Sequence, residues 1–154
     1  MSVDDNLNKL NIELPNAPAP VGEYVAYRIS GNLLYVSGQV SFNKDGKLIK
    51  GKVGSELTIE QGQEAAKACA INILSQVKKA CSGNLNKVQS CIKITGYVNS
   101  KDDFLEQPKI INGASEIISK VFGDNGKHAR AAVSVSSLPL GAAVEVEAIF
   151  EISV

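Results

Sequence analysis

Apolar residues recur along this chain with two different periods, and each change of period marks a new element. From Thr58 to Cys81 the spacing is helical, with Ala66, Cys69, Ala70, Ile73, Val77, Ala80 and Cys81 on one stripe. Thr58 and Gln61 fit a capping box, and Gly83-Asn84 supplies the stop. The stripe is rich in alanine, so this helix can lie close to a sheet. A second stripe of Ile110, Ile111, Ala114, Ile117, Ile118, Val121 and Phe122 predicts another helix, ended by Gly123. Asp103 and Glu106 also resemble a capping box, but a helix begun there would enclose Pro108 at a cost of about 3 kcal/mol. The better start puts Pro108 at the first helical position. Between the helices, Val88 to Val98 reads as a strand with Ile92, Ile94 and Val98 on one face.

Upstream, Tyr24–Ile29 and Leu33–Gly38 read as a hairpin turning at Ser30-Gly31-Asn32. Asn43-Lys44-Asp45-Gly46 marks a turn within a smaller ribbon from Ser41 to Ile49. Pro15, Pro18 and Pro20 impose an extended segment, and residues 1–13 suit a short helical turn within an N-terminal arm of residues 1–20. Near the C-terminus two runs alternate with period 2. Arg130, Ala132 and Ser134 face one way and Ala131, Val133 and Val135 the other. After a turn at Leu138-Pro139-Leu140-Gly141, Val144, Val146, Ala148, Phe150 and Ile152 oppose Glu145, Glu147, Ile149 and Glu151. These two runs are expected to form an antiparallel pair. The order of strands, helix, strand, helix and two strands predicts an α+β fold, a mixed sheet with two helices on one face. A single domain is expected over 1–154.

Composition narrows the function. Lys+Arg and Asp+Glu are both 16, so the net charge is zero and supplies no basic footprint for nucleic acid or anionic lipid. The three cysteines, Cys69, Cys81 and Cys91, lack C-x-x-C spacing and read as small apolar residues, with no disulfide framework or zinc site expected. The start MSVDDNLNKL has neither a basic nor an apolar signal region, and no apolar run approaches membrane-spanning length. A cytoplasmic location is the expectation. No nucleotide loop, nucleophile elbow or zinc-protease motif occurs, and no metal or cofactor is called for.

Arg130 offers a planar fork of donors that matches a carboxylate bidentately, and small neighbours on its face leave room for a ligand. The plain alternatives are a surface arginine or an ion pair with Glu145 or Glu147. Glutamate is depleted in strands, and two alternating glutamates normally mark a solvated face. The functional alternative has Glu145 position or activate water, provided partial burial lifts its pKa. Tyr24 suits core or interface packing, and Ser37 suits a bond to its own backbone or to a ligand.

In order, Gly22-x-Tyr24, Ser37-Gly38-Gln39, and Arg130, Val133, Val135, Leu138-Pro139 and Glu145-Val146-Glu147-Ala148 resemble the Rid family of reactive intermediate deaminases, also called the YjgF family. The likeness covers roughly residues 15 to 154. It implies a chorismate-mutase-like fold and a homotrimer with ligand sites between subunits. It also implies hydrolytic deamination of small enamines and imines such as 2-aminoacrylate, giving 2-keto acids and ammonia. On that pattern Arg130 clamps the substrate carboxylate, Glu145 orients water, Tyr24 walls the pocket and Ser37 assists the clamp. The backbone of Ala132 meets the imine nitrogen, and Asn112 falls roughly where the family has a functional asparagine.

Three departures stand out. His128 replaces the family's proline, Ala132 stands where many members have cysteine, and extra residues lie between Phe104 and Asn112. His128 reads as surface or pocket rim. A non-catalytic binding module for keto acids or related carboxylates is the second reading. An endoribonuclease is the third, and zero net charge, a lone histidine and few aromatics oppose it.

Overall fold

A computed structural model of the chain describes residues 2–154. The two helical stripes become α2 (Ile59–Ala80) and α3 (Gln107–Phe122), preceded by a short α1 (Val3–Lys9). Both α1 and α2 open on reciprocal capping boxes, Ser2 with Asp5 and Thr58 with Gln61. Each box satisfies two backbone donors that the first turn would otherwise leave orphaned. Helix α3 starts at Gln107, so Pro108 holds the second helical position rather than the first.

Five strands follow the alternating segments: β1 (Tyr27–Ser30), β2 (Leu33–Val40), β3 (Val88–Asn99), β4 (Ala129–Val135) and β5 (Val144–Ile152). The first hairpin turns at Gly31 and Asn32, with Gly31 at φ 61°, as the turn residues predict. It opens at Tyr27, however, and Tyr24 lies in the bend ahead of the strand. The Ser41–Ile49 ribbon reduces to one antiparallel bridge between Phe42 and Leu48.

The sheet order is β1-β2-β5-β3-β4, with β3 and β4 parallel and every other pair antiparallel. The expected antiparallel pairing of the two C-terminal runs is therefore wrong. Helix α3 is a crossover that returns β4 alongside β3, as a parallel pair requires. Strand β5 inserts between β2 and β3. Alternation reveals which side chains share a face and says nothing of which strand lies alongside. The residues do suggest the outcome: β5 carries five apolar side chains on one face, four of them larger than alanine and all buried, whereas β4 is mostly small and takes the edge.

The helices cover one face of this sheet. There Val144, Val146, Ala148, Phe150 and Ile152 meet Ile94 and Val98, Ile73 and Val77 of α2, and Ile110, Ile111 and Ile118 of α3. Ile92 does not join this face. The β3–β5 register slips between Cys91 and Lys93, so Cys91 is buried and Ile92 is turned outward.

Two glycines set how closely α3 lies on its neighbours. A β-carbon at Gly113 would strike the backbone carbonyl of Gln63 on α2, and one at Gly96 of β3 would strike the Ile111 side chain. The first clash is with backbone, which cannot rotate away. Gly113→Ala is expected to lower the unfolding free energy by about 1–3 kcal/mol through overpacking. Urea denaturation would show this as a lower midpoint at unchanged slope. A wild-type midpoint would mean the helices separate at no cost.

Candidate functional site

In-register partners share a face, so the strand register sorts the chemistry-bearing side chains into two groups. Arg130 stands opposite Ile94, which stands opposite Ala148, on the helix-covered side. Glu145 stands opposite Tyr97, and Glu147 opposite Thr95, on the uncovered side. Arg130 and Glu145 also lie two strands apart, roughly 10 Å across the sheet. An ion pair between Arg130 and either glutamate of the same chain is thereby ruled out.

On the covered side, α3 presents Pro108, Asn112 and Ser115 along one stripe toward β4. The Arg130 Nη1 donates to Asn112 Oδ1 at 2.8 Å and to Ser115 Oγ at 3.2 Å, and Nη2 makes a long 3.5 Å contact to the Pro108 carbonyl. No carboxylate pairs with this guanidinium among the described residues. A fixed and carboxylate-free arginine is suited to an external anion. Ala132 shares this face, as does Ser134, whose hydroxyl joins Ser100 and Gln107. Sequence reasoning singled out Asn112, from its rough match to a functional asparagine of the family, without placing it beside the arginine, and it missed Ser115. Its spacing of three from Asn112, along the edge of the apolar stripe of α3, is the signal that marks it.

The uncovered side is shaped by a bulge. Val36 pairs with Ala148 and Gln39 with Val146, leaving Ser37 and Gly38 together against Glu147 alone. Gly38 leaves room here for the Glu145 carboxylate, which would have to shift if a β-carbon were present. Ser37 donates from Oγ to the Val25 carbonyl at 2.7 Å. It also lines a cavity of about 270 Å³ with Tyr27, Tyr35, Lys93, Glu147 and Ile149. Tyr24 and Gly38 border a smaller hollow of about 50 Å³ against Pro18–Val21. Tyr24 is exposed, and its hydroxyl accepts from the Val21 amide at 3.3 Å.

Glu145 is half-buried. Burial pushes its carboxyl above the ordinary 4.5, and the neighbouring Glu147 charge pushes the same way. Glu147 itself is exposed and accepts a 3.1 Å bond from the Tyr97 hydroxyl. Tyr97 is raised in turn by burial and by Glu147. The three cysteines are buried and free, with burial lifting Cys91 to about 12 and Cys69 well above an ordinary thiol. They offer no ready thiolate. Among the described residues, no cluster of three or more His, Cys, Asp or Glu could hold a metal ion, and no helix is long and apolar enough to cross a membrane.

A mixed five-stranded sheet with two helices on one face is the arrangement of the chorismate-mutase-like proteins. The chain belongs to the YjgF family, whose model, described as "YjgF/chorismate_mutase-like, putative endoribonuclease", matches residues 4–152. It is 47% identical over 149 residues to protein TCP17 of Trypanosoma cruzi, covering 96% of this chain and 92% of that one. It is 31% identical to the 2-iminobutanoate/2-iminopropanoate deaminase of Mus musculus, covering 90% and 87% respectively. A crystal structure of a protein of unknown function from Agrobacterium tumefaciens superposes with TM-score 0.91 at 46% identity, covering 99% of this chain and 94% of that one.

The two causes of the Glu145 shift can be separated. Carboxyl ¹³C titration is expected to find Glu145 above 4.5, and lower but still raised in Glu147→Gln, because burial is the larger cause. A return to the ordinary value in that variant would assign the whole effect to the neighbouring charge.

Proposed function

We propose that this protein hydrolytically deaminates small enamine or imine carboxylates of the 2-aminoacrylate type, giving 2-keto acids and ammonia. The observation that carries this reading is Arg130, held by Asn112 and Ser115 with no carboxylate partner of its own. The substrate carboxylate takes the guanidinium fork. The enamine tautomerises to the imine, a water held by Glu145 adds to the C=N carbon, and the carbinolamine expels ammonia to leave the keto group. Glu145 takes a proton from the water and returns one to the departing nitrogen, a task suited to a carboxyl raised toward neutrality. Tyr24 closes the pocket, Ser37 assists the clamp, and the backbone at Ala132 meets the imine nitrogen. The substrate is reactive, so positioning and local charge suffice. The 31% identical mouse deaminase supports the same chemistry.

Because Arg130 and Glu145 occupy opposite faces of one sheet, the site we propose is completed by a second copy of the chain. A homotrimer repeats that arrangement around a closed ring. Metabolite deamination in this form takes place in the cytoplasm and requires no metal or cofactor. The second reading, a binding module for small carboxylates, rests on the same Arg130 cradle without water activation.

Pyruvate release from 2-aminoacrylate generated in situ tests the reading. Arg130→Ala is expected to abolish acceleration, and Glu145→Gln to lower it by about 10²- to 10⁴-fold while sparing pyruvate binding. Wild-type turnover in Arg130→Ala would refute the clamp, and wild-type turnover in Glu145→Gln would leave only the binding module. The base must be ionised, so activity should fall as pH drops through a value above 4.5. Co-refolding the two variants in equal amounts should restore about a quarter of wild-type activity if each site draws on two copies. No recovery in the mixed assembly would place both residues' chemistry within one chain and contradict the shared site.

A further inference from the structure

His128 is the only histidine in the chain, and the structure ties both of its ring nitrogens. Nδ1 lies 2.6 Å from the Gly126 carbonyl, and Nε2 lies 2.9 Å from Ser115 Oγ. A carbonyl only accepts, so Nδ1 carries a hydrogen. In the neutral imidazole, Nε2 is then the acceptor and the Ser115 hydroxyl donates to it. That leaves the lone pairs of Ser115 Oγ facing Arg130 Nη1, which donates to it at 3.2 Å. The chain of bonds has one direction throughout, from Arg130 through Ser115 and His128 to the backbone at Gly126.

The far end of this relay is anchored. Gly126 is buried, and a β-carbon there would strike the Ile118 carbonyl, so its peptide is pressed against α3. Without an acceptor at position 128, a helical serine hydroxyl turns to the carbonyl four residues back, here that of Ile111. With the hydroxyl hydrogen swung to that carbonyl, the lone pairs of the oxygen are redirected and their alignment with the guanidinium is no longer fixed. Asn112 alone would hold Nη1, through a side chain that is itself exposed.

We propose that His128 is a positioning residue for the carboxylate clamp, fixing the Ser115 hydroxyl and through it the orientation of the Arg130 guanidinium. This deepens the function proposed above and rests on the reading of Arg130 as the carboxylate binder. It gives a role to a residue that the sequence alone reads as surface or pocket rim, with a histidine supplying the side-chain acceptor that the family's proline lacks.

The test uses pyruvate as probe, with affinity followed by NMR titration of the full-length protein, beside kinetics on 2-aminoacrylate generated in situ. Arg130→Ala should lose pyruvate binding. His128→Ala and Ser115→Ala should each weaken it by about three- to tenfold, the worth of one net hydrogen bond. The His128→Ala/Ser115→Ala double variant should be no weaker than either single one, because the two residues act through one relay. KM should rise with kcat nearly unchanged, and His128→Gln, which retains an acceptor, should recover most of the loss. Thermal melting checks each fold. If His128→Ala does not fold, His128→Gln beside Ser115→Ala carries the comparison. Unchanged affinity in the folded His128→Ala or Ser115→Ala variant, or additive losses in the double variant, would overturn the inference while leaving the clamp intact. Pyruvate binding that survives Arg130→Ala would overturn the clamp, and the positioning role with it.

Discussion

The close seating of α3 is the constraint on which the rest of this structure depends. Gly113 lets its backbone reach the Gln63 carbonyl of α2, and Gly96 lets Ile111 sink onto β3. With any side chain at these points α3 would ride higher over the sheet. Two consequences follow from the low position. The apolar stripe of Ile110, Ile111, Ala114, Ile117, Ile118 and Val121 is fully used as core. The polar margin of the same helix, Pro108, Asn112 and Ser115, is brought down to the edge strand, where it meets Arg130. One packing decision in the core therefore also fixes the surroundings of Arg130 at the rim.

The same helix explains the topology. As a crossover it forces β4 to run parallel to β3, and it leaves the space beside β3 on the other side to β5. Arg130 thus reaches the covered face at one edge, while Glu145 emerges near the middle of the sheet on the opposite face. Under the proposed chemistry neither residue is sufficient within a single chain. The arginine supplies affinity and the glutamate supplies reactivity, and each is prepared separately: one by hydrogen bonds to a helix, the other by half-burial against the Gly38 bulge. Separate preparation on two rigid supports lets assembly join groups already in their working orientation, which is where preorganisation gains most.

Much of the fold was legible in the residues, and the failures share one cause. Helix ends were readable because capping boxes and stop glycines are local chemistry, as at Thr58, Gln61 and Gly83. The first hairpin was readable because Gly31-Asn32 specifies its own turn. Alternation correctly grouped Arg130 with Ala132 and Ser134, and Glu145 with Glu147. The pairing of the last two strands was misjudged because a partner strand is chosen by distant residues. Ile92 was misplaced because a bulge reverses the face of everything beyond it, and no local signal announces that slip. For the site, the family-like pieces pointed to Asn112 across the extra residues after Phe104. Ser115 went unseen because a small polar residue at the margin of an apolar stripe looks like ordinary helix surface. Its meaning appears only when β4 is laid beside it.

The departures from the family pattern fall unevenly over the two faces. His128 and Ala132 both belong to the arginine strand or its entry, whereas Ser37-Gly38-Gln39 and Glu145-Val146-Glu147-Ala148 keep the pattern of the opposite face. Under the proposed chemistry, variation confined to the Arg130 side leaves water activation alone and alters how an anion is held. Ala132 offers the same backbone groups as a cysteine would, without a thiol to oxidise or modify. The imidazole beside Ser115 adds a hydrogen-bond acceptor that a proline could not supply, and this is the basis of the positioning role proposed for His128. Under the proposed chemistry, the stiffness of the clamp can change without touching the reacting half, because Arg130 and Glu145 are built on opposite sides of the same sheet.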